Sequence, residues 1–115
     1  MGASGTVAGA IARGDVRLYR FARLDKQRPV VVLTRESAIG YLSAVTVAPI
    51  TSSVRGVPSE VRLTEMDGMK HSCAVNLHNL VTVSKGRLGR RIASLSPERL
   101  NEICGALGFA LGCLS

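Results

Sequence analysis

The 115-residue chain has no tryptophan and only two tyrosines and two phenylalanines, so aromatic residues make up 3% of it. So few rings exclude a base-stacking platform, and they leave Val, Leu, Ile and Ala to fill any core. Acid is scarce too. Eight Asp and Glu face fifteen Lys and Arg, a formal charge of +7. That scarcity argues against a paired-carboxylate hydrolase. The excess of base fits a polyanionic partner such as nucleic acid, an acidic protein or an anionic membrane, with plain solubility as the alternative. The three cysteines, Cys73, Cys104 and Cys113, are odd in number and form no C-x-x-C. A disulfide framework and a zinc ribbon are therefore excluded, and a reducing cytoplasm fits best. No H-E-x-x-H, Walker loop or G-x-G-x-x-G after a strand occurs, so no metal or cofactor is expected. The apolar stretch from Val7 to Ala12 is too short to span a membrane, and no charged segment precedes it as in a signal peptide.

Apolar residues make up 46% of the chain and the mean hydropathy is +0.23. These values imply one folded domain rather than a disordered tail. The apolar surplus is one a homodimer would bury. Residues 1–13, with their Gly, Ala and Ser, read as a flexible extension, and residues 14–115 as the domain.

Strand patterns fill the first three quarters. Val16 to Phe21 suits a half-buried strand after the Arg13-Gly14-Asp15 turn. Pro29 to Leu33 is a continuous β-branched run, as expected of a strand buried on both faces. Arg35 to Ser43 allows a short helical turn. Val45 to Ile50 is the next strand, with Pro49 expected at its end or on an edge. Ser59 to Thr64 alternates like a half-exposed strand, and Asp67-Gly68 is a turn. Cys73–Leu77 and Leu80–Val83 form one long or broken strand with His78 and Asn79 in its middle. At the C-terminus the period changes. Ser96-Pro97-Glu98 starts a helix, with Leu100, Ile103, Cys104, Leu107 and Leu111 at helical spacing. Cys104 is expected to be buried on that apolar face. Several short strands and one packed helix imply a mainly β fold, a small bent sheet or barrel with a covering helix.

Three features could carry chemistry. Lys26-Gln27-Arg28-Pro29 leads into the buried strand and can aim Arg28 at a phosphate; the plain alternative is a solvated loop. Pro49-Ile50-Thr51-Ser52-Ser53 offers hydroxyls and backbone N–H groups to phosphate oxygens; the plain alternative is an ordinary hydroxyl-capped turn. Asn76, His78 and Asn79 sit within an apolar strand. They either satisfy backbone groups or line a groove where bases are read. The remaining bases, Arg17, Arg20, Arg23, Lys85, Arg87, Arg90 and Arg91, are scattered; some should follow a polyanion backbone.

The order of these features is informative. Arg-Gly-Asp precedes the first strand. Arg-Pro-Val-Val-Val-Leu and Val-Thr-Val-Ala-Pro-Ile-Thr-Ser follow, and then Leu88-Gly89-Arg90-Arg91-Ile92 and Leu95-Ser96-Pro97-Glu98. This run, residues 13 to about 113, resembles the MazF/PemK family of toxin endoribonucleases from bacterial toxin–antitoxin pairs. The resemblance implies a small SH3-like β-barrel with a C-terminal α-helix, working as a homodimer. It also implies sequence-specific, metal-independent cleavage of single-stranded RNA, and a cognate antitoxin whose acidic tail covers the RNA site. Arg28 and Thr51 stand at the family's catalytic positions, and Ser52 and Ser53 extend the Thr51 loop. Asn79 falls where many members carry Gln, and His78 where many carry Glu. Lys26, Gln27 and Asn76 join the expected RNA-binding set. One departure is the short segment from Ala22 to Gln27, where many members carry a long Gly-rich loop. Its brevity should leave the groove more open and alter base preference.

The chemistry so implied is attack of a 2′-hydroxyl on the adjacent phosphorus, giving a 2′,3′-cyclic phosphate and a 5′-hydroxyl. The tethered nucleophile needs no metal. Arg28 would stabilise the developing charge, with Thr51 assisting. An arginine is a poor general base, and His78 is a minor candidate for proton transfer. Two other readings stay open: a non-catalytic toxin of the same fold that binds a protein target such as DNA gyrase, and a basic RNA-binding module.

Overall fold

The longest strand of the fold is the small, β-branched run Ala44–Thr51, and the other strands are arranged about it. The computed structural model describes residues 10–113. In chain order the elements are β1 (Asp15–Tyr19), β2 (Arg28–Val32), the short helix α1 (Glu36–Ile39), β3 (Ala44–Thr51), β4 (Glu60–Leu63), β5 (Cys73–Asn76), β6 (Val81–Ser84), β7 (Arg91–Ser94) and the C-terminal helix α2 (Pro97–Leu111). Two 3-10 turns, Glu65–Asp67 and Lys85–Arg87, follow β4 and β6. Seven antiparallel strands make one curled sheet in the order β4-β5-β3-β2-β1-β7, with β6 also on β3. The result is a half-barrel closed at the β4 side by α2.

The β-branched run behaves as its composition requires. Val31 and Leu33 enter one apolar cluster with Val16, Ala48, Ile50, Leu63 and Ile103. Val30 and Val32 enter a second cluster with Ile39, Val45, Val47 and Val83. Strand β2 is thus buried on both faces. Pro49 is a correction: it lies inside β3, opposite Val30, not at the strand's end. The ladder to β6 reaches Val47↔Val81 and the ladder to β5 starts at Ile50↔Val75. Pro49 therefore occupies the step between two partners, where a missing N–H costs no ladder bond. The stretch from Cys73 to Val83 is two strands, broken by a turn at Leu77–Asn79.

The extension expected over residues 1–13 falls mainly on residues 1–9, outside the described residues. Residues 10–13 are tied to the domain. Ala12 N–H donates to Asp15 Oδ2 at 3.0 Å, and Ala10 C=O accepts from Arg17 at 3.1 Å. Arg17 is itself a correction to the set of polyanion-facing bases. It is 5% exposed, donates through Nε to Gly89 C=O at 2.9 Å and pairs with the fully buried Asp15 at 3.2 Å. Residues two apart in a strand share a face, so the Asp-Val-Arg spacing brings the pair together. Lys85 is also engaged, donating to Ile39 C=O at 2.6 Å.

Helix α2 starts as its sequence dictates. Ser96 Oγ accepts from Arg99 N–H at 3.2 Å and Pro97 opens the first turn. Gly112, at φ +72°, ends it in a left-handed conformation. The buried stripe is narrower than the spacing predicts. Ile103 is fully buried, and Leu100, Ala106, Leu107 and Ala110 pack beside it. Cys104 and Leu111 are exposed, contrary to expectation, because each lies off that stripe; Cys104 Sγ accepts from Arg13 at 3.2 Å instead.

An ion pair joins α2 to the turn after β4. Asp67 Oδ1 accepts from Arg99 Nε at 2.9 Å, and its Oδ2 accepts from Thr64 N–H at 2.8 Å. Burial alone would raise the Asp67 carboxyl, but the hydrogen bonds from Arg99 and Thr64 and the charge of Arg99 outweigh it and hold the carboxyl below its ordinary value. A carboxyl depressed by folding contributes stability above the ordinary carboxylate range, and that contribution is lost as pH falls through the folded value. Thermal melts of Asp67→Asn should therefore show a shallower loss of stability than the parent below about pH 4. Identical acid limbs would contradict the pairing.

Candidate active site

A groove of about 840 Å³ opens where β2, β3 and β5 end, and the local sequence sets its walls. Pro29 confines the residue before it to extended backbone, which fixes Arg28 at the start of β2. Strands β2 and β3 pair with Val30 opposite Pro49. Continued two residues, that register sets Arg28 opposite Thr51, and directly opposed residues project from the same face. Both line the groove.

Thr51 ends β3, opposite Ala74 of β5. Its Oγ1 accepts from Ser53 N–H at 3.0 Å, so the hydroxyl-capped turn expected there is present. This turn does not compete with a site. It uses a lone pair and leaves the O–H free to donate to an anion. Ser52 and Ser53 line the groove as exposed continuations of the loop.

Of the other expected residues, Asn76 and Asn79 also line the groove. Asn76 Oδ1 accepts from His78 N–H at 3.2 Å and so shapes the turn after β5. His78, Lys26 and Gln27 are not among the lining residues. The His78 ring points to β4, with Nδ1 at 2.6 Å from Ser59 Oγ. The Gln27 amide packs toward Gly89, where an added Cβ would also lie 3.0 Å from Leu18 C=O; glycine allows that close approach.

The structure adds four residues outside the expected set and places one of the scattered bases at the groove. The turn after β4 contributes Gly68, Met69, Lys70 and His71, and the segment before β7 contributes Arg90. Gly68 has φ +93°, and a Cβ there would meet Ala93 Cβ at 3.0 Å. Asp67, one residue earlier, holds this wall to α2 through Arg99. Cys73 lies at the groove, buried; its burial, with the charge of Asp67, pushes the thiol up. Among the described residues the groove carries Arg28, Lys70 and Arg90 and no Asp or Glu. The charge of its wall is therefore positive. No three His, Cys, Asp or Glu side chains among the described residues gather where they could hold a metal ion.

A family of PemK-like, MazF-like toxins of type II toxin–antitoxin systems matches residues 12–111. The chain belongs to this family. It is 39% identical over 95 residues to the endoribonuclease MazF3 of Mycobacterium tuberculosis, covering 83% of this chain and 92% of that one. It is 41% identical over 102 residues to the probable endoribonuclease MazF2 of the same organism, covering 88% and 98%. The solved Mycobacterium tuberculosis toxin MazF-mt6 superposes with a TM-score of 0.77 at 36% identity, over 85% of this chain and 96% of that one. The family match spans the whole curled sheet and α2, so the segments that line the groove all lie within it. No helix among the described residues is long and apolar enough to cross a membrane.

Proposed function

We propose that this toxin is an endoribonuclease that cuts single-stranded RNA in the groove at the ends of β2, β3 and β5. The observation that carries the reading is the common placement of Arg28 and Thr51 on one groove wall, beside Lys70 and Arg90 and without a carboxylate. In the proposed reaction the 2′-oxygen of one ribose attacks the adjacent phosphorus. The bond to the 5′-oxygen breaks, leaving a 2′,3′-cyclic phosphate and a 5′-hydroxyl. Arg28 presents a planar fork of donors to the non-bridging oxygens, where negative charge gathers, and the Thr51 hydroxyl adds a third donor. Lys70 and Arg90 neutralise flanking phosphates, so binding should weaken steeply with salt. Ser52, Ser53, Asn76 and Asn79 offer hydrogen bonds to bases and sugars.

The toxin acts in the cytoplasm and is silenced by an antitoxin whose acidic segment covers the same cationic groove. It works as a homodimer. The exposed Phe109 and Leu111 at the end of α2 are surplus apolar surface of the kind a second copy would cover.

The test is incubation of the purified protein with a mixed-sequence RNA oligonucleotide in EDTA, followed by analysis of the ends. Cleavage with cyclic-phosphate and 5′-hydroxyl ends is expected, and the all-deoxy oligonucleotide should resist, since it lacks the nucleophile. Binding with no cleavage would contradict the reading.

A further inference from the structure

Cleavage by a 2′-hydroxyl requires that its proton go somewhere, and few groove groups can take it. Arg28, Arg90 and Lys70 are cations without a lone pair to offer at neutral pH. The amides of Asn76 and Asn79 and the hydroxyls of Thr51, Ser52 and Ser53 do not become protonated there. The buried Cys73 thiol is pushed up by burial and by the charge of Asp67, which keeps it protonated and out of acid–base exchange near pH 7. No Asp or Glu among the described residues lines the groove.

One lining side chain remains. The chain has two histidines; His78 turns to Ser59, whereas His71 lines the groove. His71 is exposed, on the short loop between the Asp67 turn and β5. Its Nδ1 lies 3.1 Å from Ser72 C=O. A carbonyl oxygen only accepts, so Nδ1 carries the hydrogen of the neutral ring. The lone pair is then on Nε2, at the far end of the imidazole. The loop that orients this ring is anchored at Asp67, through Thr64 and Arg99, and at Cys73, in the buried start of β5.

We infer that His71 is the general base of the reaction, with Nε2 accepting the proton of the attacking 2′-hydroxyl. The inference rests on the ribonuclease reading above. As the 2′-oxygen bonds to phosphorus, its proton passes to Nε2. The P–O5′ bond breaks with its electron pair on O5′, which takes a proton from water. The imidazolium returns its proton to solvent before the next turnover. Arg28 is thereby left with one task, holding the charge of the phosphorane.

The test compares parent, His71→Gln and His71→Ala in single-turnover cleavage of an RNA oligonucleotide across pH 5–9, alongside binding of the same sequence with 2′-O-methyl riboses. General acid–base catalysis contributes roughly 10²–10⁴-fold, so His71→Gln should lose that much rate while binding the methylated strand within about two-fold of the parent. The parent should show a rate limb rising with pH that both variants lack. The other charged groups lining the same groove, Lys70, Arg28 and Arg90, and the Cys73 thiol are kept in both variants, so a limb lost in both belongs to His71. Added imidazole should restore part of the His71→Ala rate and none of the His71→Gln rate, because only alanine leaves room for it. A His71→Gln protein with parental rate and pH profile would overturn the inference and leave the ribonuclease reading intact. So would a rate loss matched by an equal loss of binding, which would make His71 a contact for RNA. If the parent cuts no RNA, the ribonuclease reading itself fails and the inference with it.

Discussion

Replacing Arg17 with methionine should destabilise the protein by about 3–5 kcal/mol, the cost of leaving one member of a buried ion pair alone. Asp15 is fully buried and Arg17 is 5% exposed, with 3.2 Å between them. After the substitution the Asp15 carboxylate keeps Ala12 N–H at 3.0 Å and the Ser94 hydroxyl at 3.5 Å. Its nearest remaining cation, Arg91, is 3.9 Å away on a largely solvated side chain. The Gly89 and Ala10 carbonyls lose their donor as well. Against a total stability of about 5–15 kcal/mol for a domain of this size, that loss is large. Urea denaturation should show a lower midpoint with an unchanged slope. Removing both charges, in Asp15→Asn with Arg17→Met, should recover most of the deficit, since the uncompensated charge is the costly element. A shift below about 1 kcal/mol for Arg17→Met would place the pair among ordinary surface ion pairs and contradict its burial.

The largest expected effect on function is at Arg28. Loss of one preorganised donor to a developing oxyanion costs about 10²–10³ in rate. Arg28 is exposed at the start of β2, so Arg28→Ala should leave the melting temperature near the parent's while cleavage falls by that factor. Arg28→Lys should fall between the two, because an ammonium keeps the charge but not the planar fork that spans two phosphate oxygens. Single-turnover rates on one RNA oligonucleotide measure both. Parental activity in a folded Arg28→Ala protein would remove Arg28 from the site.

Much of this was legible in the sequence, and the misses have physical causes. The continuous Val30–Leu33 run, the Ser96-Pro97 helix start and the Asp67-Gly68 turn each depend on neighbours in sequence, and each appears where the pattern put it. Arg28 and Thr51 were singled out through a resemblance; that they share a wall depends on strand register, which periodicity does not give. Pro49 reads as a strand terminator because the local rule cannot know that β3 changes partners at that step. Arg17 reads as one of the scattered, polyanion-facing bases because its partner Asp15 belongs to an apparent turn; the two-residue spacing was the available signal. Strand β7 (Arg91–Ser94) has a polar pattern and is held by pairing with β1. His71 carried no pattern at all. A lone histidine in a polar loop gains meaning only when folding sets it beside residues from β2, β3 and the segment before β7. His78, more conspicuous in an apolar stretch, is turned to β4 by Ser59.

The proposed convergence of Arg28 and Thr51 on one scissile phosphate underlies the ribonuclease reading. It is tested most directly by a double-mutant cycle on single-turnover RNA cleavage, using Arg28→Ala, Thr51→Ala and the pair. Donors serving the same transition-state charge are coupled, so the double variant should lose far less than the product of the two single losses. Single losses that multiply, or a parental rate in either single variant, would contradict convergence on one linkage.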